Sequence, residues 1–232
     1  MAPSGDNSRC IVLVPVGHHI EPPCDAALRV LEQRGYIVRR VWGYAAIDQC
    51  RSQLATDALA EGFEELMWID ADVGFEPDAV DALRRHDLSV VAGIYAKKGQ
   101  RAIAVQTEPG TQSLTFGTGG GLVELRYAAT GFVLTRREVY QRVQEHEQLP
   151  TCNLAFNKPT VPYFLPMLLS TDKGPWYLGE DYAFFERVRR SGIKVMADTS
   201  IRLHHYGRYG YTWEDAGSDR PHFATYHLHM PR

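Results

Sequence analysis

Short apolar runs alternate with amphipathic stretches over the first 95 residues. The runs at 11–16, 36–42, 66–69 and 88–95 are rich in β-branched or large apolar residues and predict buried strands. Apolar residues at helical spacing predict helices between them, at 25–34, 47–60 and 77–85. Pro15 predicts that the first strand ends there, because proline cannot donate a hydrogen bond to a central ladder. Strands that alternate with helices in this way indicate a parallel, doubly wound sheet.

The pattern after residue 95 is less regular. It predicts further strands at 102–107, 121–126, 128–134, 193–197 and 201–205, and helices at 136–147 and 179–190. The glycine-rich run at 117–121 predicts a flexible hairpin loop, and it lacks the Gly-Lys-Ser/Thr of a phosphate-binding P-loop. The stretch from 150 to 177 holds five of the 13 prolines and predicts a loop.

Composition narrows the class of protein. A chain of 232 residues fits one large α/β domain or two closely packed halves. The net charge of -3 and the lack of a polybasic run argue against nucleic acid and anionic membrane as partners. The apolar runs are far shorter than the roughly 20 residues of a membrane span. The four cysteines form no C-x-x-C pair and there is no signal peptide, so we expect free thiols in a cytoplasmic protein.

Asp70-Ala71-Asp72 follows the third predicted strand directly. In extended chain, residues i and i+2 point to one side, about 6 to 7 Å apart. Two carboxylates at that spacing suit a shared Mg²⁺ or Mn²⁺, and such ions commonly hold a diphosphate. In open parallel sheets, ligands gather beyond the carboxyl ends of the strands. The alternative is a pair of solvated acids that cap the next helix.

Two later motifs carry candidate chemistry. Glu180 and Asp181 begin a predicted helix, where they serve either as a general base at the edge of a cleft or only as partners of the helix dipole. His204 and His205 are neighbours on a predicted strand, so at most one faces a cleft, and a core histidine beside a surface histidine is the alternative. The later His222, His227 and His229 lack the spacing of a helical zinc site and are expected to be structural.

Cations near the same sheet edge form a third group. Arg51 lies early in the second predicted helix, and Lys97 and Lys98 follow the fourth strand. Their side chains would neutralise phosphates or are ordinary surface charge. No Gly-x-Ser-x-Gly elbow is present, which argues against serine hydrolase chemistry.

In this order, these motifs resemble the GT-A glycosyltransferases, in particular compact, family 2-like enzymes of bacterial and phage type. The segments that carry the resemblance are Trp68–Val80, Val90–Gly99 and His205-Tyr206-Gly207. The resemblance covers about residues 10 to 210. It implies a GT-A fold: a Rossmann-like, mostly parallel central sheet with helices on both faces and a smaller mixed half. Residues 9–107 would form the half that binds the nucleotide sugar, and residues 108–232 the half that binds the acceptor and carries catalysis.

The resemblance also implies roles for particular residues. Asp72 and His205 would coordinate Mn²⁺ or Mg²⁺, and Asp70 would reach the metal through water or the ribose. Asp181 would be the base on the acceptor side, with Glu180 beside it. The remaining donor contacts would come from Val14, Pro15, Val16, Arg51, Ala71 and Lys97.

The implied reaction moves a sugar from a nucleoside-diphosphate sugar, UDP- or GDP-linked, to an acceptor hydroxyl. One base on the acceptor side favours an inverting displacement. Two other functions stay open. A nucleotidyltransferase acting on a sugar phosphate would usually carry a basic, glycine-rich loop after the first strand, which residues 15–19 lack. A non-catalytic nucleotide-sugar-binding protein is the second.

Overall fold

The computed structural model describes residues 6–207, 209–217 and 225–230. Within these ranges the helices are α1 (Pro22–Gln33), α2 (Ile47–Ala60), α3 (Asp78–Arg85), α4 (Arg137–Glu147) and α5 (Glu180–Arg190). The strands are β1 (Cys10–Val16), β2 (Ile37–Trp42), β3 (Glu65–Ile69), β4 (Val73–Phe75), β5 (Val90–Gly93), β6 (Gln106–Thr107), β7 (Ser113–Gly117), β8 (Leu122–Tyr127), β9 (Phe132–Arg136), β10 (Met167–Thr171), β11 (Gly174–Leu178), β12 (Val195–Asp198), β13 (Leu203–Tyr206), β14 (Gly210–Tyr211) and β15 (Thr225–His229). Single 3₁₀ turns lie at Asn7–Arg9, Leu154–Phe156 and Trp213–Ala216.

Eight strands form the central sheet, in the order β2-β1-β3-β9-β5-β12-β8-β6. β2, β1 and β3 pair in parallel, and so do β5 and β12. β9 lies between β3 and β5 and runs antiparallel to both, and β8 is antiparallel to its two neighbours. The predicted α/β class with a mostly parallel sheet is therefore confirmed, with antiparallel strands inserted from the second half of the chain.

Two apolar layers cover the two faces of this sheet. In β1, Ile11 and Leu13 point into one layer, and Val12 and Val14 point into the other, as the twofold repeat of a strand requires. Helices α2, α4 and α5 pack on the first face, and helices α1 and α3 on the second. The helices thus lie on both faces, as expected for a doubly wound sheet.

Several local predictions are wrong in ways that have a physical reason. β1 continues through Pro15 to Val16, and this is tolerated because its pairing with β3 ends at Leu13 and only β2 accompanies it further. The glycine-rich run at 117–121 does not close a hairpin, since β7 pairs with β15 while β8 pairs with β12 and β6. Within the predicted loop 150–177, β10 and β11 form an antiparallel hairpin.

A small second sheet determines the position of the site. β4 follows Asp72 directly and pairs antiparallel with β13, which pairs in turn with β14. A Cβ atom on Gly74 of β4 would lie 2.4 Å from Cε2 of Tyr206, so only glycine lets that ring lie across β4. None of the described helices is both long enough and apolar enough to span a membrane.

Candidate functional site

Residues 70–72 form a tight turn between the end of β3 and the start of β4. The Asp70 amide donates to the carbonyl of Gly131 at 3.0 Å, and the Val73 amide donates to the Asp70 carbonyl at 3.0 Å. The amide of Glu21, which precedes α1, donates to the Ala71 carbonyl at 2.8 Å. The backbone of Asp70 and Asp72 is therefore held by Gly131 just before β9, by its own turn and by the loop after β1.

Asp72 and His205 face each other because of the register of the small sheet. His205 pairs with Val73, and the Tyr206 amide donates to the Asp72 carbonyl at 2.7 Å. His205 Nε2 lies 3.6 Å from Asp72 Oδ1. His204 points away, stacks on Tyr206 and lines a separate cavity with Phe75. Of the two histidines, His205 is thus the one beside Asp72.

The surroundings of His205 determine which ring nitrogen is available. Its Nδ1 lies 2.9 Å from the carbonyl oxygen of Ala96, and a carbonyl only accepts hydrogen bonds. Nδ1 therefore donates to this carbonyl, and Nε2 is the ring nitrogen that lies toward Asp72. The ring of Tyr95 packs edge-on against His205, with centroids 4.9 Å apart.

Asp72 also forms an ion pair with the ammonium group of Lys98, through Oδ2. Burial raises the pKa of Asp72, but the contacts with His205 and Lys98 outweigh burial and leave the pKa at about 2. Asp72 is therefore ionised at neutral pH.

Arg51 connects the first half of the chain to the second. Its side chain is only 3% exposed, and it reaches two carboxylates that are 111 positions apart in sequence, Asp70 and Asp181. Nη2 lies 2.8 Å from Asp70 Oδ1, and Nη1 pairs with Asp181 Oδ1. Thr130 donates its hydroxyl to the same Asp181 oxygen. Arg51 therefore lies beneath the site as a bridge between carboxylates.

Burial affects two of the acids near Arg51, Asp70 and Glu180. It raises the pKa of Asp70, although the charge of Arg51 opposes this. It also raises the pKa of Glu180, and the neighbouring charge of Asp181 acts in the same direction. Burial raises the pKa of the Tyr95 hydroxyl well above its ordinary value.

A cavity of about 410 Å³ opens beside Asp70 and Asp72. It is lined by Pro15, Gly17, His18, His19, Glu21, Tyr44, Asp70, Ala71, Asp72, Lys98, Tyr206 and Gly207. Val14 and Val16 are fully buried in the apolar core behind it. Lys97 lies next in the chain to Lys98, with an exposed side chain. Two of the later histidines, His227 and His229, belong to β15. The third, His222, falls outside the described residues.

The chemistry of the donors can be compared with the needs of a divalent cation. Among the described residues, no group of three or more His, Cys, Asp or Glu side chains is arranged to hold a metal. Asp72, which lines the cavity, and His205 beside it do bring one carboxylate oxygen and one imidazole nitrogen within 3.6 Å of each other, whereas Asp70 Oδ1 points to Arg51. Mg²⁺ and Mn²⁺ in phosphate-binding sites often take few protein ligands and complete their shell with phosphates and water. The pair fits such an ion.

Sequence patterns alone did not single out Tyr95, Thr130 and Gly131. Tyr95 lies just after β5, and Thr130 and Gly131 lie just before β9. The Gly131 amide donates to the Tyr95 hydroxyl at 3.1 Å. A Cβ atom on Gly131 would lie 2.2 Å from that hydroxyl and 2.9 Å from Asp70 Oδ2. The Thr130-Gly131 pair carries no recognisable signal without knowledge of which strands become neighbours.

Comparison with solved structures supports the fold. The sequence matches no protein-family model and no curated protein. The crystal structure of A197 from STIV is similar, with a TM-score of 0.55 and 18% identity over 92% of this chain and 98% of that one. The crystal structure of GalNAc-T7 with UDP, GalNAc and Mn²⁺ gives a TM-score of 0.47 and 10% identity over 84% of this chain and 43% of that one. UDP-glucose pyrophosphorylase complexed with UDP-glucose gives 0.41 and 10% over 84% and 92%. The first likeness shows a shared fold, and the other two are too distant to carry an argument.

Proposed function

We propose that this protein is a metal-dependent glycosyltransferase of the GT-A type that moves a sugar from a UDP- or GDP-sugar to an acceptor hydroxyl with inversion. One observation carries the proposal. Asp72 lies beside His205, with 3.6 Å between Oδ1 and Nε2, and Arg51 pairs with both the neighbouring Asp70 and Asp181. These side chains come from four distant segments and meet at the edge of the sheet where ligands of α/β proteins bind.

Asp72 and His205 are the residues that would hold the divalent cation, with Asp70 reaching it through water or contacting the ribose. When bound, the cation would neutralise the charge that builds up on the departing nucleoside diphosphate. Pro15 and Ala71 line the cavity and are suited to contact the nucleotide. Arg51 holds the carboxylates in place and keeps Asp70 and Asp181 at a fixed separation.

Asp181 is the proposed base on the acceptor side. Arg51 and Thr130 both donate to its Oδ1, which orients the carboxylate and leaves Oδ2 to take the proton. The acceptor oxygen forms a bond to the anomeric carbon, the bond to the nucleoside diphosphate breaks, and the hydroxyl proton passes to Asp181. Attack from the side opposite the leaving group inverts the anomeric centre. Glu180, whose pKa burial raises, flanks this base at the start of α5.

Thermal-shift and transfer assays test the proposal. UDP- and GDP-sugars are screened with and without Mn²⁺, and we expect one of them to raise the melting temperature only when the metal is present. Asp72→Asn and His205→Ala should remove this metal-dependent shift. Asp181→Asn should keep it but lower transfer by about 10²-fold or more, the usual contribution of a general base.

Asp172→Asn is the control, because Asp172 is exposed in the turn between β10 and β11 and does not line the cavity. It should behave like the wild-type protein in both assays. Stabilisation by nucleoside triphosphates and by no nucleotide sugar would instead favour a nucleotidyltransferase. Donor binding without transfer or donor hydrolysis under any condition would favour a binding protein.

A further inference from the structure

Lys98 lies beside Asp72, the carboxylate to which the proposed function assigns the divalent cation. Its ammonium group pairs with Asp72 Oδ2, while His205 approaches the other oxygen of the same carboxylate. The side chains of Lys98 and Asp72 are 36% and 37% exposed, so the pair borders the open cavity. The ammonium group therefore competes for the carboxylate that the proposed function assigns to the divalent cation.

A tight turn presents Lys98 to the cavity. The Gln100 amide donates to the Lys97 carbonyl at 3.4 Å, and Gly99 adopts a φ of 68° at the third position of this turn. Ala96 and Ile103 pair across its base. Positive φ at the third position is typical of a type II turn and favours glycine. Lys98 thus stands at the tip of an ordered turn, and its flexible side chain can change partner without movement of the backbone.

The contacts of the Lys98 stem limit its reach to this cavity. A Cβ atom on Gly207 would lie 3.2 Å from Lys98 Cδ, so the stem runs close over the backbone of Gly207. Gly207 and Tyr206 line the cavity together with Asp70 and Asp72. The ammonium group therefore stays near the cavity whichever anion it pairs with.

Charge explains why the lysine would change partner. Without metal or nucleotide, Arg51 neutralises Asp70, and Lys98 neutralises Asp72. A divalent cation on Asp72 would repel the ammonium group, and the diphosphate that arrives with it would offer Lys98 a new anionic partner.

We propose that Lys98 alternates between two partners: it holds Asp72 in the metal-free protein and binds the diphosphate of the donor once a divalent cation takes Asp72. This inference rests on the proposed function and adds to it a specific phosphate-binding residue. Lys98 then lowers the affinity for the metal alone and raises the affinity for the metal together with the nucleotide. This favours binding of the two ligands together.

Binding of Mn²⁺ alone tests the first half. Free Mn²⁺ is measured by electron paramagnetic resonance during titration of the protein. Lys98→Met should bind Mn²⁺ about fivefold more tightly than the wild type, because an ion pair at this exposure no longer opposes the metal. Lys97→Met removes the same charge one residue away. Because Lys97 is exposed and, unlike Lys98, does not line the cavity, this change should alter the affinity by less than about twofold, against the donor contact that the resemblance implies for Lys97.

Binding of UDP and of GDP at saturating Mn²⁺, measured by calorimetry, tests the second half. Lys98→Met should weaken the nucleotide that binds by about tenfold, the usual effect of losing a hydrogen bond to a charged group. Lys98→Arg keeps the positive charge and should stay within about threefold of wild type in both measurements.

Two results would overturn the inference. If Lys98→Met and Lys97→Met change Mn²⁺ and nucleotide binding equally, Lys98 acts only as one surface charge among others, and the glycosyltransferase proposal stands. If the wild-type protein binds neither Mn²⁺ nor either nucleotide, both proposals fail.

Discussion

At the scale of single residues, three acids of the candidate site form ion pairs with neighbouring cations. Arg51 pairs with both Asp70 and Asp181, and Lys98 pairs with Asp72. Such pairing is needed because a carboxylate removed from water without a partner is costly. The arrangement keeps several acids close together without excess negative charge, before any ligand arrives.

Replacement of Arg51 tests this pairing. Arg51→Met should lower the free energy of unfolding by about 2 to 3 kcal/mol, less than a fully buried pair because Asp70 and Asp181 are partly exposed. Arg51→Lys should recover part of this loss, but one ammonium group cannot bridge two carboxylates as a guanidinium fork does. Urea unfolding of both variants gives the comparison, and equal stability of wild type and Arg51→Met would contradict the bridge.

At position 131, the close contacts with Tyr95 and Asp70 leave no room for a side chain. Gly131→Ala would place a methyl group 2.2 Å from the Tyr95 hydroxyl, and Tyr95 is only 3% exposed and cannot easily move. We expect a loss of about 1 to 3 kcal/mol, as for other overpacked cores, together with loss of transfer activity because Asp70 is displaced.

Gly121→Ala is the matched control for that substitution. A Cβ atom on Gly121 meets no neighbouring atom within 4 Å. Thermal unfolding should therefore show a clear decrease for Gly131→Ala and little change for Gly121→Ala. Similar melting temperatures for the two variants would mean that the close packing around Gly131 can relax.

At the scale of elements, strand ends and short loops hold the parts of the site together. The antiparallel pairing of β4 with β13 brings His205 to Asp72. Gly131, just before β9, accepts from the Asp70 amide through its carbonyl and donates to the Tyr95 hydroxyl through its amide, which joins the turn after β3 to the residues after β5. The end of β12, the strand next to β5, is also joined to other elements by side-chain contacts. Its last residue, Asp198, accepts hydrogen bonds from Ser200 and contacts His86 at the end of α3.

Asp198 gives a prediction about pH. Burial raises its pKa, but the bonds from Ser200 and the contact with His86 outweigh burial and lower it below its ordinary value of 3.8. A carboxyl group with a depressed pKa stabilises the folded state above its unfolded pKa, and this contribution is lost as the pH falls through its folded pKa. Asp198→Asn should therefore cost about 1 to 2 kcal/mol at pH 7, and the difference from wild type should shrink below about pH 4.

Urea unfolding of the two proteins between pH 3 and pH 7 measures this difference. Asp172→Asn again provides a control, because it removes one exposed carboxylate. A gap between wild type and Asp198→Asn that grows as the solution is acidified would contradict the assignment.

At the scale of the whole molecule, the two predicted halves share one sheet. β9 comes from the second half and lies between β3 and β5 of the first, and β12 and β8 continue the sheet beyond β5. The Arg51–Asp181 ion pair crosses the same boundary. Neither half therefore has a complete core of its own.

Division of the chain tests this interleaving. A fragment of residues 9–107 would leave the edges of β3 and β5 unpaired where β9 normally lies, and it would expose apolar surface that α4 and α5 cover. We expect no cooperative unfolding transition and poor dispersion of amide signals in its NMR spectrum. Cooperative folding of this fragment by itself would show that the first half is an independent domain.

The sequence by itself determined the fold class, most elements and the location of the candidate acids. Periodicity records which side of each element is buried, and Asp70 and Asp72 necessarily follow β3 wherever that strand lies. Which strands become neighbours depended on the tertiary structure, because pairing is decided by packing between segments far apart in the chain. This is why the insertion of β9 and the roles of Thr130 and Gly131 could not be predicted.

The partners of the cations could not be predicted for the same reason. The residue types and positions of Arg51, Lys97 and Lys98 indicated positive charge near the sheet edge, but the sequence contains no local signal for the partner of each. Only the folded chain buries Arg51 between Asp70 and Asp181 and turns Lys98, with Lys97 left exposed, toward Asp72. The sequence thus determined the inventory of charges, and the tertiary structure decided how they are paired, because ion pairing depends on distances in space.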